Sequence, residues 1–187
     1  MSVRLLRLAD YRVMPWKNGL GSTTEVARWP EGDGAEFVWR LSVARVEGSG
    51  PFSRFPGYDR IIVPLDGAMT LECEGGRTHI SSLHAHAFSG DAVTSGTPDG
   101  GSVRDLNVMT RRGKAKASVE ILSGPRTSVF EMADGEISLF YIASGDLSVA
   151  STRATAEETI MTDGESSLSF ESRGAAQVIL SRIRLEI

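Results

Sequence analysis

The chain has 187 residues, 41% of them hydrophobic and 24% charged, with 20 Lys and Arg against 24 Asp and Glu and a net charge of −4. That is the composition of a globular protein with enough chain for one large core or two small fused ones. It lacks the basic surplus that a phosphate-tracking face needs, which argues against nucleic acid as a partner, and no window approaches the roughly 18 apolar residues of a membrane span.

The first residues, MSVRLLRLADYR, contain no apolar run followed by a small-residue cleavage site, so the expectation is a cytoplasmic protein without membrane contact. Leu8–Tyr11 is the one short helical candidate. From there the apolar pattern repeats every two residues. In Phe37–Val46, Phe37, Trp39, Leu41 and Val43 share one face, while Val38, Arg40, Ser42 and Ala44 share the other. Arg60–Cys73 reads as two strands joined at Asp66-Gly67, a favoured hairpin pair. Further strands are predicted at Phe88–Thr97, Val103–Thr110, Ala117–Leu122, Ser128–Met132, Ile137–Ala143, Leu147–Ala150, Ser167–Phe170 and Gln177–Leu185. Twenty glycines and seven prolines punctuate these runs, the spacing of an all-β sandwich or barrel.

Setting Gly67 on Gly145 aligns IIVPLDGAMTL with LFYIASGDLSV, and setting Gly90 on Gly164 aligns SGDAVTSGT with DGESSLSFE. A duplication of two fused jelly-roll halves accounts for this weak repeat, with residues 1–112 as an N-terminal barrel carrying a site and 113–187 as a C-terminal scaffold barrel. The halves differ in chemistry. The first ends on a strand with Asp105 and Asn107 on one face, the second on Val178, Ile179 and Leu180.

Three segments concentrate Gly, Pro, aromatic and ionisable residues: WKNGLG at 16–21, GPFSRFPGYDR at 50–60 and DLNVMTRRG at 105–113. Loops of this make-up on a rigid scaffold are where function tends to sit. Arg40 with Ser42, and Asp105 with Asn107, each share a strand face. Two readings are open for these faces: the wet side of an antiparallel sheet, or the lining of a polar pocket with Arg40 and Arg60 opposed by Glu25, Asp59 or Asp105. In the second, a guanidinium with spare forked donors suits a small carboxylate. Gly19 and Gly21 let the backbone approach a ligand closely, and Asn18 and Trp16 offer an amide and an indole N–H; a turn residue and a core aromatic serve equally well. Glu25 and Asp105 could form an acid–base pair in a closed pocket. His84 and His86, at i and i+2, resemble a two-ligand metal presentation, but no carboxylate and third His follow at the spacing a divalent metal needs, so no metal and no cofactor are expected. Cys73 and Ser53 lack the context of a nucleophile.

WKNGLGSTTE, FVWRLSVARV, GPFSRFPGYDR, FSGD and DLNVMTRRG, in this order, resemble the motifs of HutD/Ves proteins across nearly the whole first half. The resemblance implies two fused cupin-like barrels, a bicupin, and a role in binding a small carboxylate of histidine utilisation, such as formylglutamate or urocanate, rather than catalysis. The residues it carries over as ligand-binding include Trp16, Asn18, Thr23, Glu25, Arg40, Ser42, Phe55, Arg60, Asp105 and Asn107. In that assignment Arg40 and Arg60 clamp the carboxylate, Asn18, Ser42 and Asn107 orient the rest, and Glu25 and Asp105 hold the arginines. Leu20 stands where HutD members commonly have a third glycine. The alternatives are a cupin-type enzyme acting on a small acid and a stress-related interaction module presenting Phe52 and Phe55 to a partner.

Overall fold

The computed structural model describes residues 2–16, 19, 21–32, 34, 36–164 and 166–186. In chain order the strands are β1 (Ser2–Leu6), β2 (Arg12–Pro15), β3 (Gly21–Trp29), β4 (Trp39–Val46), β5 (Gly50–Pro51), β6 (Tyr58–Asp66), β7 (Met69–Cys73), β8 (Gly76–Ile80) and β9 (His86–Ser89). They continue as β10 (Thr94–Pro98), β11 (Val103–Arg111), β12 (Ala115–Ser123), β13 (Arg126–Met132), β14 (Glu136–Val149), β15 (Thr152–Thr155), β16 (Thr159–Asp163) and β17 (Ser166–Leu185). One 3-10 turn, Leu8–Asp10, falls where the single helical turn is predicted. The protein is all-β, and no helix among the described residues is long and apolar enough to cross a membrane.

Two compact units form. One comprises Arg12–Lys116, the other Met1–Tyr11 with Ala117–Ile187. The sequence placed residues 1–112 together, but β1 pairs antiparallel with β16, from Ser2 opposite Asp163 to Leu6 opposite Thr159. Val3 and Leu5 pack on the apolar cluster of the C-terminal unit. Pairing between strands so distant in sequence leaves no local signature.

In the Arg12–Lys116 unit a six-stranded sheet runs β2-β3-β4-β11-β6-β9, and a four-stranded sheet runs β5-β10-β7-β8. Val46, Ile62 and Val103 of the first sheet pack with Met69, Leu71 and Ile80 of the second, so alternation on each strand puts one face of each sheet into a shared interior. The two closed barrels expected from the sequence are not what the backbone hydrogen bonds form: the sheets are open, ending at β2 and β9 and at β5 and β8. The edge β5 is only Gly50–Pro51, and a proline there has no N–H with which to extend a ladder.

The other unit is built on a seven-stranded sheet with the order β1-β16-β14-β17-β12, β13 and β15 being attached to β17 and β14. Gly145 and Gly174 do not end strands as expected. β14 and β17 run through them as single long strands, with a break of register in β14 at Ser144–Asp146 and positive φ at both glycines, as at bulges. The apolar cluster of this unit is closely packed: Phe130, Phe140 and Phe170 meet with ring centroids 5.0–6.3 Å apart, together with Val178 and Leu180, and the fully buried Glu136 is ion-paired with Arg182 and Arg184.

Candidate functional site

Register in the six-stranded sheet sets the site. On β11, Met109 lies opposite Arg40 of β4 on one side and Arg60 of β6 on the other; Asn107 lies between Ser42 and Ile62; Asp105 lies between Ala44 and Pro64. Period-two alternation therefore places Arg40, Ser42, Arg60, Asp105 and Asn107 on one inward face. Thr23 of β3 joins the same face opposite Ala44. A cavity of about 580 Å³ opens over this face, lined by all six of these residues, by Trp16, Met14 and Pro15, by Ala44, and by Pro51, Phe52, Ser53 and Phe55 of the Pro-Gly loop.

The loop is fastened by backbone and charge. Phe52 N–H donates to the Thr94 carbonyl, Phe55 N–H to Gly90, and Gly90 N–H to Tyr58. A Cβ at Gly90 would lie 2.5 Å from the Phe55 carbonyl oxygen and 2.9 Å from that of Tyr58, so that position requires glycine, and one at Gly96 would lie 2.6 Å from the Phe52 ring and displace it. Asp91 accepts from the Gly57 N–H at 3.0 Å, from Ser89 Oγ at 2.9 Å and from Arg112, which also donates to Asp59 at 2.7 Å. Arg112 first, then the Gly57 N–H, hold the Asp91 carboxyl well below the usual range. The basic stretch after β11 thus acts as a loop fastener.

So held, the loop turns Phe52 and Phe55 inward. The Arg60 guanidinium carbon lies 5.7, 5.6 and 4.7 Å from the ring centroids of Phe52, Phe55 and Phe88, and that of Arg40 lies 4.8 and 5.2 Å from those of Phe37 and Phe55. Phe52 and Phe55 are half-buried and do not form the exposed apolar loop that a partner-docking reading requires. Beneath them the Tyr58 hydroxyl donates to the Phe37 carbonyl at 2.7 Å and accepts from the Phe37 N–H at 3.2 Å, fixing the ring on which Arg40 rests.

The polar groups are buried and under-satisfied. Asp105 is 1% exposed, Ser42 2%, Asn107 5% and Arg60 7%. Arg60 donates to the Ser53 carbonyl at 3.3 Å and Arg40 donates to Met109 Sδ at 3.3 Å. Arg40 Nε, Arg60 Nε, both Asp105 carboxylate oxygens and Asn107 Oδ1 have no hydrogen-bond partner among the described residues. Asp105 therefore does not hold either arginine by a hydrogen bond, contrary to the role expected from sequence; its neighbours across the strands, Ala44 and Pro64, have no side-chain donor. Burial pushes the Asp105 carboxyl up to about 7, against the pull of the Arg60 charge. Burial likewise pulls Arg60 down to about 10, the nearby Asp105 opposing and Arg40 adding to the fall. Arg40 is lowered for the same first reason, with Glu25 opposing through space. Native interiors leave few such groups unmatched, and here five atoms cluster on one cavity.

Of the remaining expected residues, Trp16 donates through Nε1 to Thr23 Oγ1 at 2.8 Å; a Cβ on Gly21 would lie 2.1 Å from the Arg45 carbonyl oxygen and 3.0 Å from the Trp16 ring, and the first of these explains glycine there. Asn18 and Leu20 lie outside the described residues. Glu25 acts on Arg40 through space without lining the cavity. His84 precedes β9, its Nδ1 2.9 Å from the Ser82 carbonyl oxygen, while His86 opens that strand and stacks near Phe88. They are thus not an i, i+2 pair on one strand, and among the described residues no group of three His, Cys, Asp or Glu side chains could hold a metal ion. Cys73 lies 3.4 Å from Thr94 Oγ1. Met14 and Pro15 line the cavity without having been singled out: apolar side chains carry no chemical signal of a site.

Comparison with known proteins agrees with the motif order. An uncharacterised 21.2 kDa protein from the hutC 3′ region of Pseudomonas putida is 42% identical over 125 residues, 65% of this chain and 65% of that protein. Protein Ves of Citrobacter koseri is 41% identical over 118 residues, 60% of this chain and 61% of its own length. The matched stretch thus spans just under two thirds of each of these curated relatives. HutD from Pseudomonas fluorescens SBW25 has a similar structure, with a TM-score of 0.86 and 28% identity, covering 98% of this chain and 99% of that one. The HutD family model matches residues 8–180, and the chain belongs to the HutD family.

Proposed function

We propose that this HutD-family protein binds a small carboxylate metabolite, such as formylglutamate or urocanate, without metal or other cofactor, and modulates histidine utilisation rather than acting on nucleic acid or a membrane. The observation that carries the reading is the pair of guanidiniums flanking Met109, Arg60 buried and Arg40 half-buried, neither with a carboxylate within ion-pair distance among the described residues and each with an unpartnered Nε. Keeping a buried cation without a bound counter-charge is expensive, and a carboxylate entering the cavity would relieve both arginines at once. Phe37, Phe52, Phe55 and Phe88 take the guanidinium faces and leave their edges for the ligand. Asn18, Ser42 and Asn107 are assigned to orient the rest of it, with Trp16 and Thr23 closing one wall. Family membership and the hutC-region relative support the pathway. The framework we propose is a pair of cupin-like jelly rolls, of which the one built on Arg12–Lys116 holds the ligand in the cytoplasm.

Thermal-shift titration with histidine-degradation intermediates tests this. A saturable stabilisation by a carboxylate, lost in Arg60→Ala, supports it; equal binding by that variant defeats it. One observation favours a cupin-type enzyme instead: a carboxyl poised near neutrality in a cavity is suited to general acid–base work. NMR of the ligand after prolonged incubation separates the two, since only an enzyme would convert it.

A further inference from the structure

We infer that the C-terminal unit keeps a small-carboxylate site of its own, filled by one of its own side chains: Glu136 stands there as a tethered acetate between Arg182 and Arg184, and without it the position takes a free short-chain monocarboxylate. The contacts of Glu136 carry this, whatever fills the cavity of the first unit.

Register puts two places in the chain in correspondence. In the first unit Arg60 of β6 lies between Phe88 of β9 and Met109 of β11. Setting Gly67 on Gly145 brings Arg60 onto Ser138, and setting Gly90 on Gly164 brings Phe88 onto Thr162. Ser138 of β14 in turn lies between Thr162 of β16 and Arg182 of β17. The guanidinium that β6 supplies in the first unit is therefore supplied in the second from β17, whose counterpart position on β11 is Met109. The same setting brings Tyr58 onto Glu136. Alternation keeps Glu136 on the face of Ser138, and Arg184 lies opposite it on β17.

Glu136 is fully buried and held as a ligand would be. Its Oε1 accepts from Arg182 Nη1 at 3.0 Å and from Ser138 Oγ at 3.3 Å, and its Oε2 accepts from Arg184 Nε at 3.2 Å. Much of the receptor side is fixed without it. Arg182 also donates to the Glu131 carbonyl at 3.0 Å and rests over the Phe130 ring, 5.6 Å from its centroid. The backbone at 136 is tied separately, its N–H on the Ala133 carbonyl and its carbonyl accepting from the Gly164 N–H. Truncation to Ala removes a methylene and the carboxylate, the heavy atoms of acetate, from a place already shaped around them. The Arg184 side chain is 68% exposed, so the way in from solvent lies past it. Packing alone does not ask for charge here. The same strand face continues into Phe140 and the apolar cluster, and an apolar side chain of similar volume commonly serves an interior as well as a buried ion pair does.

The test is hydrogen exchange on the whole chain, read at the amides of β14 and β17 so that the C-terminal unit reports by itself. In Glu136→Ala these amides should exchange faster than in wild type. Sodium acetate should slow them saturably against sodium chloride of equal ionic strength, by about tenfold at ten times its Kd. The slowing should exceed any that acetate causes in wild type, where the position is filled. It should persist in Arg60→Met/Glu136→Ala, which separates it from the first cavity. Formate and propionate should do less than acetate, trimethylacetate nothing, and Glu136→Met, which fills the space, should not respond. Should Glu136→Ala fail to fold in chloride, recovery on refolding in acetate is the same readout. An acetate response no larger than that of wild type, its loss in the double variant, an equal response in Glu136→Met or to trimethylacetate, or no recovery on refolding would each overturn the tethered-ligand reading and leave that of the first cavity untouched.

Discussion

Replacing Arg60 by Met separates ligand capture from folding. The guanidinium is 7% exposed, and burial pulls it from 12.5 to about 10; at about 1.4 kcal/mol per pKa step, its charge is held in the folded protein at a cost of about 3 kcal/mol. The sign is that of a base lowered on folding, so the cost is present in full at neutral pH and fades only as pH rises past about 10. Against this stand the rings of Phe52, Phe55 and Phe88 and the 3.3 Å bond to the Ser53 carbonyl, together worth about 1–3 kcal/mol. Methionine keeps much of the packing and can recover sulfur–aromatic contact. Arg60→Met should therefore match wild type or exceed it by up to about 2 kcal/mol in urea unfolding at unchanged m-value. The stabilisation by saturating formylglutamate or urocanate, about 2.7 kcal/mol at a hundredfold excess over Kd, should vanish in the variant. A ligand-free variant weaker than wild type by more than about 2 kcal/mol would show that Arg60 is a structural residue, and the reasoning would fail.

Asp105 sets a pH dependence. Its folded value of about 7 lies above the ordinary 3.8, so its contribution is fullest below pH 4, falls between pH 4 and 7, and levels off above, by roughly 4 kcal/mol in all. The charge that acts on it is Arg60 of β6; Arg40 of β4 and the Cys73 thiol act in turn on Arg60, and Glu25 of β3 acts on Arg40. Asp105→Asn lacks this slope, and parallel urea-unfolding profiles for the two proteins across that range would contradict it. Gly90→Ala drives a methyl into the Phe55 and Tyr58 carbonyl oxygens and should cost about 2–4 kcal/mol in the same assay; a loss below about 1 kcal/mol would show that the loop gives way easily. Asp91→Ala removes the acceptor of the Gly57 N–H and of Arg112, so hydrogen exchange at 52–57 should quicken and ligand stabilisation should weaken; unchanged exchange would mean that backbone bonds alone hold the loop.

Much of the site was legible because a strand makes orientation arithmetic. Arg40 with Ser42 and Asp105 with Asn107 are recognisable as shared faces from spacing alone, and the structure turns those faces inward. The hairpin at Asp66-Gly67 follows from turn chemistry, and Gly67 has the left-handed φ of 77° that it demands. What escaped has equally definite causes. β1 finds its partner some 150 residues away, an interaction with no local trace. Gly145 and Gly174 look like strand ends because a bulge and a turn use the same residue. His84 and His86 look like ligands because alternation was assumed across the start of β9, where the strand has not yet begun. The partnering of Asp105 could not be read either, since it depends on what stands beside it on β4 and β6.

The filled C-terminal core gives the hollow sheet of the first unit its meaning. β14 pairs with β17 much as β6 pairs with β11, yet where β11 presents Asp105 and Asn107, β17 presents Val178 and Leu180 to a knot of phenylalanines. One half of the chain gives its interior to cohesion and neutralises its buried Glu136 with Arg182 and Arg184, while the other leaves Arg60 and Asp105 buried without a matching partner. Evolutionary drift should accordingly be conservative in volume in the solid half and conservative in chemistry in the hollow one.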